Sequence, residues 1–157
     1  MLSSLFFSML VGATPCLVPP VRAAVVDPFR DPGCSYCPGN RGIEYEPPAG
    51  TAVTSAAAGT VSFAGSVANT LYVVVEHLDG YRTTYGRLAS TSVRRGDMIN
   101  SGHLIGVTTD RLFFGLRLRD DYLDPAPLLG RIVVRPYLVP LDGANRHAPP
   151  TATHVCR

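Results

Sequence analysis

Leu71-Tyr72-Val73-Val74-Val75-Glu76-His77-Leu78-Asp79-Gly80-Tyr81-Arg82-Thr83-Thr84-Tyr85-Gly86-Arg87-Leu88 is the stretch that decides the fold. Residues 71–77 are dense in β-branched and aromatic side chains, which suit a pleated, half-buried surface. Asp79-Gly80 marks a tight hairpin, because Gly accepts the positive φ of a type I′ turn. Residues 81–85 alternate aromatic and polar side chains and return as a second strand.

Outward from this hairpin, further short strands are predicted at 52–55, 60–64, 98–99, 104–107 and 112–118. They are separated by turn signals such as Gly59, Arg95-Gly96-Asp97 and Ser101-Gly102. No stretch keeps a helical period. Residues 124–129 suit one helical turn, with Asp124 as N-cap and Pro125 at the first position. The pattern predicts an all-β fold, a small antiparallel β-sandwich or barrel. Its apolar face should include Val61, Val73, Val75, Leu104, Leu112 and Phe114. Residues 25–40 read as a Cys/Pro-rich linker. Residues 132–139 read as an edge strand limited by Pro136, and 143–157 as a polar, flexible tail.

The 157 residues suit one domain with tails. The formal charge of +2 creates no field for a polyanion. All 14 basic residues are Arg, so the surface offers only planar, fork-shaped cations. Residues 2–17 form an apolar run too short for a membrane span. Val21-Arg22-Ala23 follows as a small-x-small signal, so residues 1–24 read as a secretory leader cut after Ala23 or Ala24, or kept as an anchor. Pro15 argues against lipid attachment at Cys16. Export favours disulfides. Cleavage would leave Cys34, Cys37 and Cys156, with a structural disulfide in the Cys34–Cys37 loop and one thiol over. Cys34 and Cys37 also have redox-pair spacing, and with His154 and Cys156 they make an irregular zinc set.

From residue 41 to 129 the chain resembles the lysostaphin-like, LytM-type zinc endopeptidases that cut bacterial peptidoglycan. The resemblance lies in an ordered series. Asn40-Arg41-Gly42-Ile43-Glu44 stands where the family has His-x-Gly-x-Asp. Pro48-Ala49-Gly50-Thr51-Ala52-Val53 and Ala58-Gly59-Thr60-Val61 match its P-x-G-T-x-V and G-x-V steps. His77-Leu78-Asp79-Gly80 matches its H-x-x-G hairpin, and Tyr85-Gly86-Arg87-Leu88 its Tyr-x-His-Leu. Residues 93–97 and 101–106 match V-x-x-G-D and G-x-x-I-G, and Arg111-Leu112-Phe113-Phe114 stands at His-x-His-Phe. The resemblance implies the LytM fold over 41–130, with 131–157 as edge segment and tail.

It also implies where a zinc would sit: on the His and Asp of the first motif and the second His of the last, with the other two His assisting the metal-bound water. Here the three metal positions hold Asn40, Glu44 and Phe113, and the assisting positions hold Arg87 and Arg111. Phe113 has no donor atom, an Asn amide is a poor zinc ligand, and Arg cannot serve as a base near neutral pH. Two guanidiniums also repel a divalent cation. His77 lies outside the family's metal site, His103 in a turn, and His147 and His154 in the tail. The expectation is a secreted or cell-envelope pseudo-peptidase with no metal, no other cofactor and no catalytic residue. Its partner would be peptidoglycan or a cell-wall hydrolase. Arg41, Tyr85, Arg87 and Arg111 are the candidate ligand-binding residues, because Arg pairs with carboxylates in bidentate fashion. Two other readings stand beside this one. The arginines could instead form internal salt bridges with Glu44 or Glu46. Alternatively, the chain could be an active peptidoglycan metalloendopeptidase with an altered metal site.

Overall fold

A computed structural model describes residues 15–34, 36–134 and 152–156. The chain order is β1 (Val25–Asp27), β2 (Gly42–Tyr45), β3 (Ala52–Thr54), β4 (Gly59–Val67), β5 (Thr70–Glu76), β6 (Tyr81–Thr91), β7 (Met98–Ile99), β8 (Leu104–Leu118) and β9 (Asp121–Leu123). A 3₁₀ turn (Ala126–Leu128), β10 (Arg131–Val134) and β11 (Ala152–Val155) follow. Nine strands form one antiparallel sheet in the order β1-β2-β8-β6-β5-β4-β7, with β3 and β9 also on β8. The fold is all-β, as the alternation in β5 and β6 predicts.

β5 and β6 form the expected hairpin, but its turn differs. Gly80 N–H donates to His77 O and His77 N–H to Tyr81 O. Only Gly80, at φ 82°, is left-handed there. This is the three-residue loop in which a left-handed Gly follows a type I turn, not a type I′ turn. The turn with two left-handed residues joins β4 to β5, at Ala68 (φ 47°) and Asn69 (φ 63°). β6 also runs past Tyr85 to Thr91, through bulges on either side of Leu88. The two strands predicted at 104–107 and 112–118 are one continuous β8.

The sheet buries one face. Val61, Val73, Val75, Leu112 and Phe114 are at most 1% exposed, as expected. Leu104 is not: it is 47% exposed and Ile105 takes the buried place. The side-chain phase of β8 reverses between Ile105 and Leu112, opposite the β6 bulges, and a one-residue slip turns every side chain to the other face. Beneath the sheet, His77 Nδ1 lies 2.7 Å from Ala58 O. A carbonyl only accepts, so Nδ1 carries a proton, while Nε2 lies 2.9 Å from Thr83 Oγ1. Thr83 in turn meets the Tyr85 hydroxyl at 3.1 Å, which also accepts from Ala56 N–H at 2.7 Å. This buried chain fixes the loop before β4 onto the hairpin.

Residues 15–24 are built into the fold rather than standing outside it. Leu17 and Val21 belong to the core, at 1% and 5% exposed. Leu17 bridges Leu129, Val18 N–H donates to Ala56 O, and Cys16 is disulfide-bonded to Cys156. Burial of apolar side chains and a covalent link are what tie these residues down. The stretch 25–40 is no free linker: β1 pairs with β2, Arg30 bridges Asn40, and Cys34 is bonded to Cys37. With both disulfides made, no thiol is left over among the described residues, and the zinc set of Cys34, Cys37, His154 and Cys156 loses its donors. Residues 152–155 are not a flexible tail: they pair with β10 as a separate ribbon. The remainder of the predicted 132–139 strand and His147 lie outside the described residues.

Candidate functional site

The five positions where the resemblance puts catalytic groups are brought together in part. Glu44 on β2 and Phe113 on β8 are direct cross-strand partners. Their neighbours Ile43, Leu112 and Phe114 point into the core, so both side chains stand on the outer face. Arg111 stands on the same strand two residues before Phe113. Arg87 enters from the β6 bulge, where its φ of 63° lets the chain bend. The Thr109 hydroxyl links the two arginine backbones, lying 3.0 Å from Arg87 O and accepting from Arg111 N–H at 3.4 Å.

Glu44 is clasped between both guanidiniums. Arg87 Nη2 donates to Oε1 and Arg111 Nη1 to Oε2, each at 3.2 Å, and Arg111 Nη2 reaches Glu46 Oε1 at 3.7 Å. The Glu44 side chain keeps 13% of its exposure, the arginines 49% and 43%. The acidic group that the two arginines grip is therefore one of this chain's own, the internal pairing that the sequence left open.

The donor set does not fit a metal. Asn40 is buried, and its amide is turned away to the carbonyls of Pro28 (3.2 Å) and Asp27 (3.4 Å), while Oδ1 accepts from Gly42 N–H. Phe113 offers a ring that lies over two glycines. A Cβ on Gly42 would meet its Cε2 and Cζ at 2.8 Å, and one on Gly115 would meet Cε1 at 3.0 Å. Among the described residues no three His, Cys, Asp or Glu side chains converge as a metal site.

Two of the expected ligand-binding residues are elsewhere. Tyr85 is fully buried, its hydroxyl is used by Ala56 and Thr83, and burial pushes its ionisation up. The sequence placed it beside the centre because it precedes Arg87 by two, but the bulge between them puts the two side chains in different environments. Arg41 points to the far side of Phe113, where its guanidinium lies 5.4 Å from the Tyr122 ring and donates to Cys34 O. A cleft of about 190 Å³ opens there, lined by Arg41, Thr84, Phe113, Gly115, Arg117 and Tyr122. The sequence reading missed Arg117 and Tyr122. Their signal was the alternation of β8 and its short hairpin into β9.

Residues 38–125 match the model of peptidase family M23. Among curated proteins, the chain is 29% identical over 126 residues to the cell division protein DipM of Caulobacter vibrioides, covering 74% of this chain and 20% of that protein. It is 28% identical over 118 residues to the lipoprotein YgeR of Escherichia coli, covering 70% and 45%. The chain thus spans less than half of either relative. Among solved structures it is similar to Helicobacter pylori Csd3, with a TM-score of 0.66 and 24% identity over 73% of this chain and 33% of that one. It is also similar to the catalytic domain of lysostaphin from Staphylococcus simulans, with a TM-score of 0.56 and 21% identity over 68% and 90%. At these identities the structural likenesses speak for the fold.

Proposed function

The chain belongs to peptidase family M23 without that family's metal donors, and we propose that it is a non-catalytic member acting in the bacterial cell envelope, where it binds peptidoglycan or regulates a wall hydrolase. One observation carries this reading: the Glu44 carboxylate is already held by Arg87 and Arg111, with Phe113 opposite it. At an effective dielectric of 20, a unit charge pair 4 Å apart interacts by about 4 kcal/mol. A divalent ion 4 Å from each guanidinium would be opposed by about twice that by each, and the single Glu44 charge offsets only one of the two. No residue at the assisting positions can accept a proton. The centre suits recognition, with a preformed sheet face and fixed cations, better than hydrolysis. DipM, named for cell division, and YgeR, named as a lipoprotein, support an envelope setting.

The test pairs binding with chemistry. Purified protein is mixed with isolated sacculi and, separately, with wall hydrolases, and capture is measured. Metal content and the clearing of a cell-wall suspension are measured on the same preparation. Capture without stoichiometric zinc and without clearing is expected. Zinc that is lost on Glu44→Ala, together with clearing of the suspension, would establish the metalloendopeptidase reading instead.

A further inference from the structure

Arg82 and Arg117 stand directly opposite one another across β6 and β8. Their neighbours Thr83 and Leu116 are fully buried, so both arginines point to the outer face. Like charges directly opposed on one face destabilise a sheet. Neither is matched by a buried acid. Arg82 donates to the Arg119 carbonyl at 3.2 Å, and Arg117 meets Asp120 at 3.3 Å, whose side chain is 96% exposed. The Nε of each is withdrawn from water and meets no acceptor among the described residues. Buried polar groups are ordinarily paired, and each exception calls for a reason. Arg117 also lies 4.7 Å over the Tyr122 ring, with Arg41 beside the same ring. Two guanidiniums, those of Arg41 and Arg117, thus line the cleft behind Phe113.

We propose that this cleft binds the free carboxylate at the end of a short peptide. Arg117 and Arg41 receive the carboxylate, and the rings of Tyr122 and Phe113 pack the residue that carries it. The proposal rests on the peptidoglycan-binding reading and names the group recognised. Three features select this ligand. A guanidinium fork pairs with carboxylate in bidentate geometry. The cleft's volume of about 190 Å³ is roughly that of six water molecules, which admits one terminal residue but not a protein surface. Beside the charges lie two aromatic rings, the Thr84 hydroxyl and the bare backbone of Gly115, walls that a free phosphate would leave unused. Asp120 occupies Arg117 in the free protein, and an exposed pair of that kind is weak enough to exchange.

The test is calorimetric titration with a synthetic tetrapeptide ending in D-alanine, as the free acid and as the C-terminal amide. Sacculus capture is run on the same variants. The acid should bind, and the amide at least tenfold more weakly. Arg117→Gln and Arg41→Gln should each weaken the acid tenfold or more. Arg117→Lys should fall between, because it keeps charge without the fork, and Arg95→Gln, on a distant turn, should match wild type. Equal binding of acid and amide would overturn the proposal. Wild-type sacculus capture that survives Arg117→Gln would also overturn it, while leaving the envelope reading intact. Absence of both peptide and sacculus binding in wild type removes this proposal and the peptidoglycan reading together. Capture of a hydrolase that depends on Arg117, with no peptide binding, reassigns the cleft to an acidic protein side chain. Should Arg117→Gln not fold, the acid–amide comparison on wild type and the Lys variant decide.

Discussion

Breaking the link between Cys16 and Cys156 should be strongly destabilising. The two residues are 140 apart in sequence, so the bond closes nearly the whole chain into a loop. The chain-entropy relation puts its effect on the unfolded state at about 5 kcal/mol, against about 2 kcal/mol for Cys34–Cys37, which are only three apart. A domain of this size has a total stability of about 5–15 kcal/mol. Measured effects tend to fall below the relation, so Cys156→Ser should lower the melting temperature by about 5–15 °C, and Cys34→Ser by a few degrees at most. The assay is a melt of each variant beside a non-reducing peptide map of the protein purified from its native host. The map should contain a peptide in which Cys16 is joined to Cys156. Refutation takes one of three forms: a mature N-terminus at Ala24 or Val25, a free Cys156 thiol, or a Cys156→Ser melt within a degree of wild type. The first would establish the leader boundary read from Val21-Arg22-Ala23, and the packing of Leu17 and Val21 would then be absent from the mature protein.

Glu44→Gln keeps the shape of the clasped side chain but not its charge. Because the arginines are nearly half exposed, each pair contributes about 0.2–1 kcal/mol, so the melting temperature should fall by about 2–6 °C and by less in high salt. An unchanged melt would mean that the cluster does not hold the centre. Burial raises the ionisation of Tyr45 and Tyr85 above the unfolded value near 10. Their neutral forms favour the folded state, so that stability is complete below about pH 10 and is lost as pH rises beyond it. Denaturant titrations from pH 8 to 11.5 should show a decline confined to the alkaline end, and a flat profile would refute the burial of these hydroxyls. Ala68 holds a left-handed conformation that costs an ordinary residue about 1–2 kcal/mol. Ala68→Asn should therefore raise the melting temperature by a few degrees, and a lower melt would show that the turn is not of type I′.

How far the sequence could be read depended on whether a residue's role was local. The β5–β6 hairpin follows from alternation and a Gly-containing turn, both local properties. The buried Val73, Val75, Leu112 and Phe114 follow from period two. The Ala68-Asn69 turn carries no Asn-Gly or Asp-Gly signal, and only its strand partners force it. Leu104 was misread because a bulge on β6, more than ten residues earlier in the chain, sets the phase of β8. At the site, the positions of Glu44, Phe113, Arg87 and Arg111 were legible from ordered motifs, but the clasp on Glu44 is a matter of reach. Tyr85 and Arg41 left the group for the same reason: a bulge withdraws one, and Tyr122 draws the other behind Phe113. The Cys16–Cys156 pairing was not legible because its partners lie 140 residues apart, a distance no local pattern spans.

β8 pairs with β2, β3, β6 and β9, and among the described residues β3 has no other strand partner. A chain delivered N-terminus first, from a ribosome or through a membrane pore, can therefore form the β1–β2 pair and the β6-β5-β4-β7 run, but cannot join the two before residues 104–118 arrive. Until then β3 and the β8-facing edge of β2 have donors and acceptors with no strand to meet. Pairings this remote in sequence form late because loop closure precedes their reward. Completion is thus tied to delivery of residues 104–118, and the last covalent closure waits for Cys156. An interrupted product would expose open strand edges, which is the feature a surveillance protease or a holdase chaperone can distinguish from the finished domain.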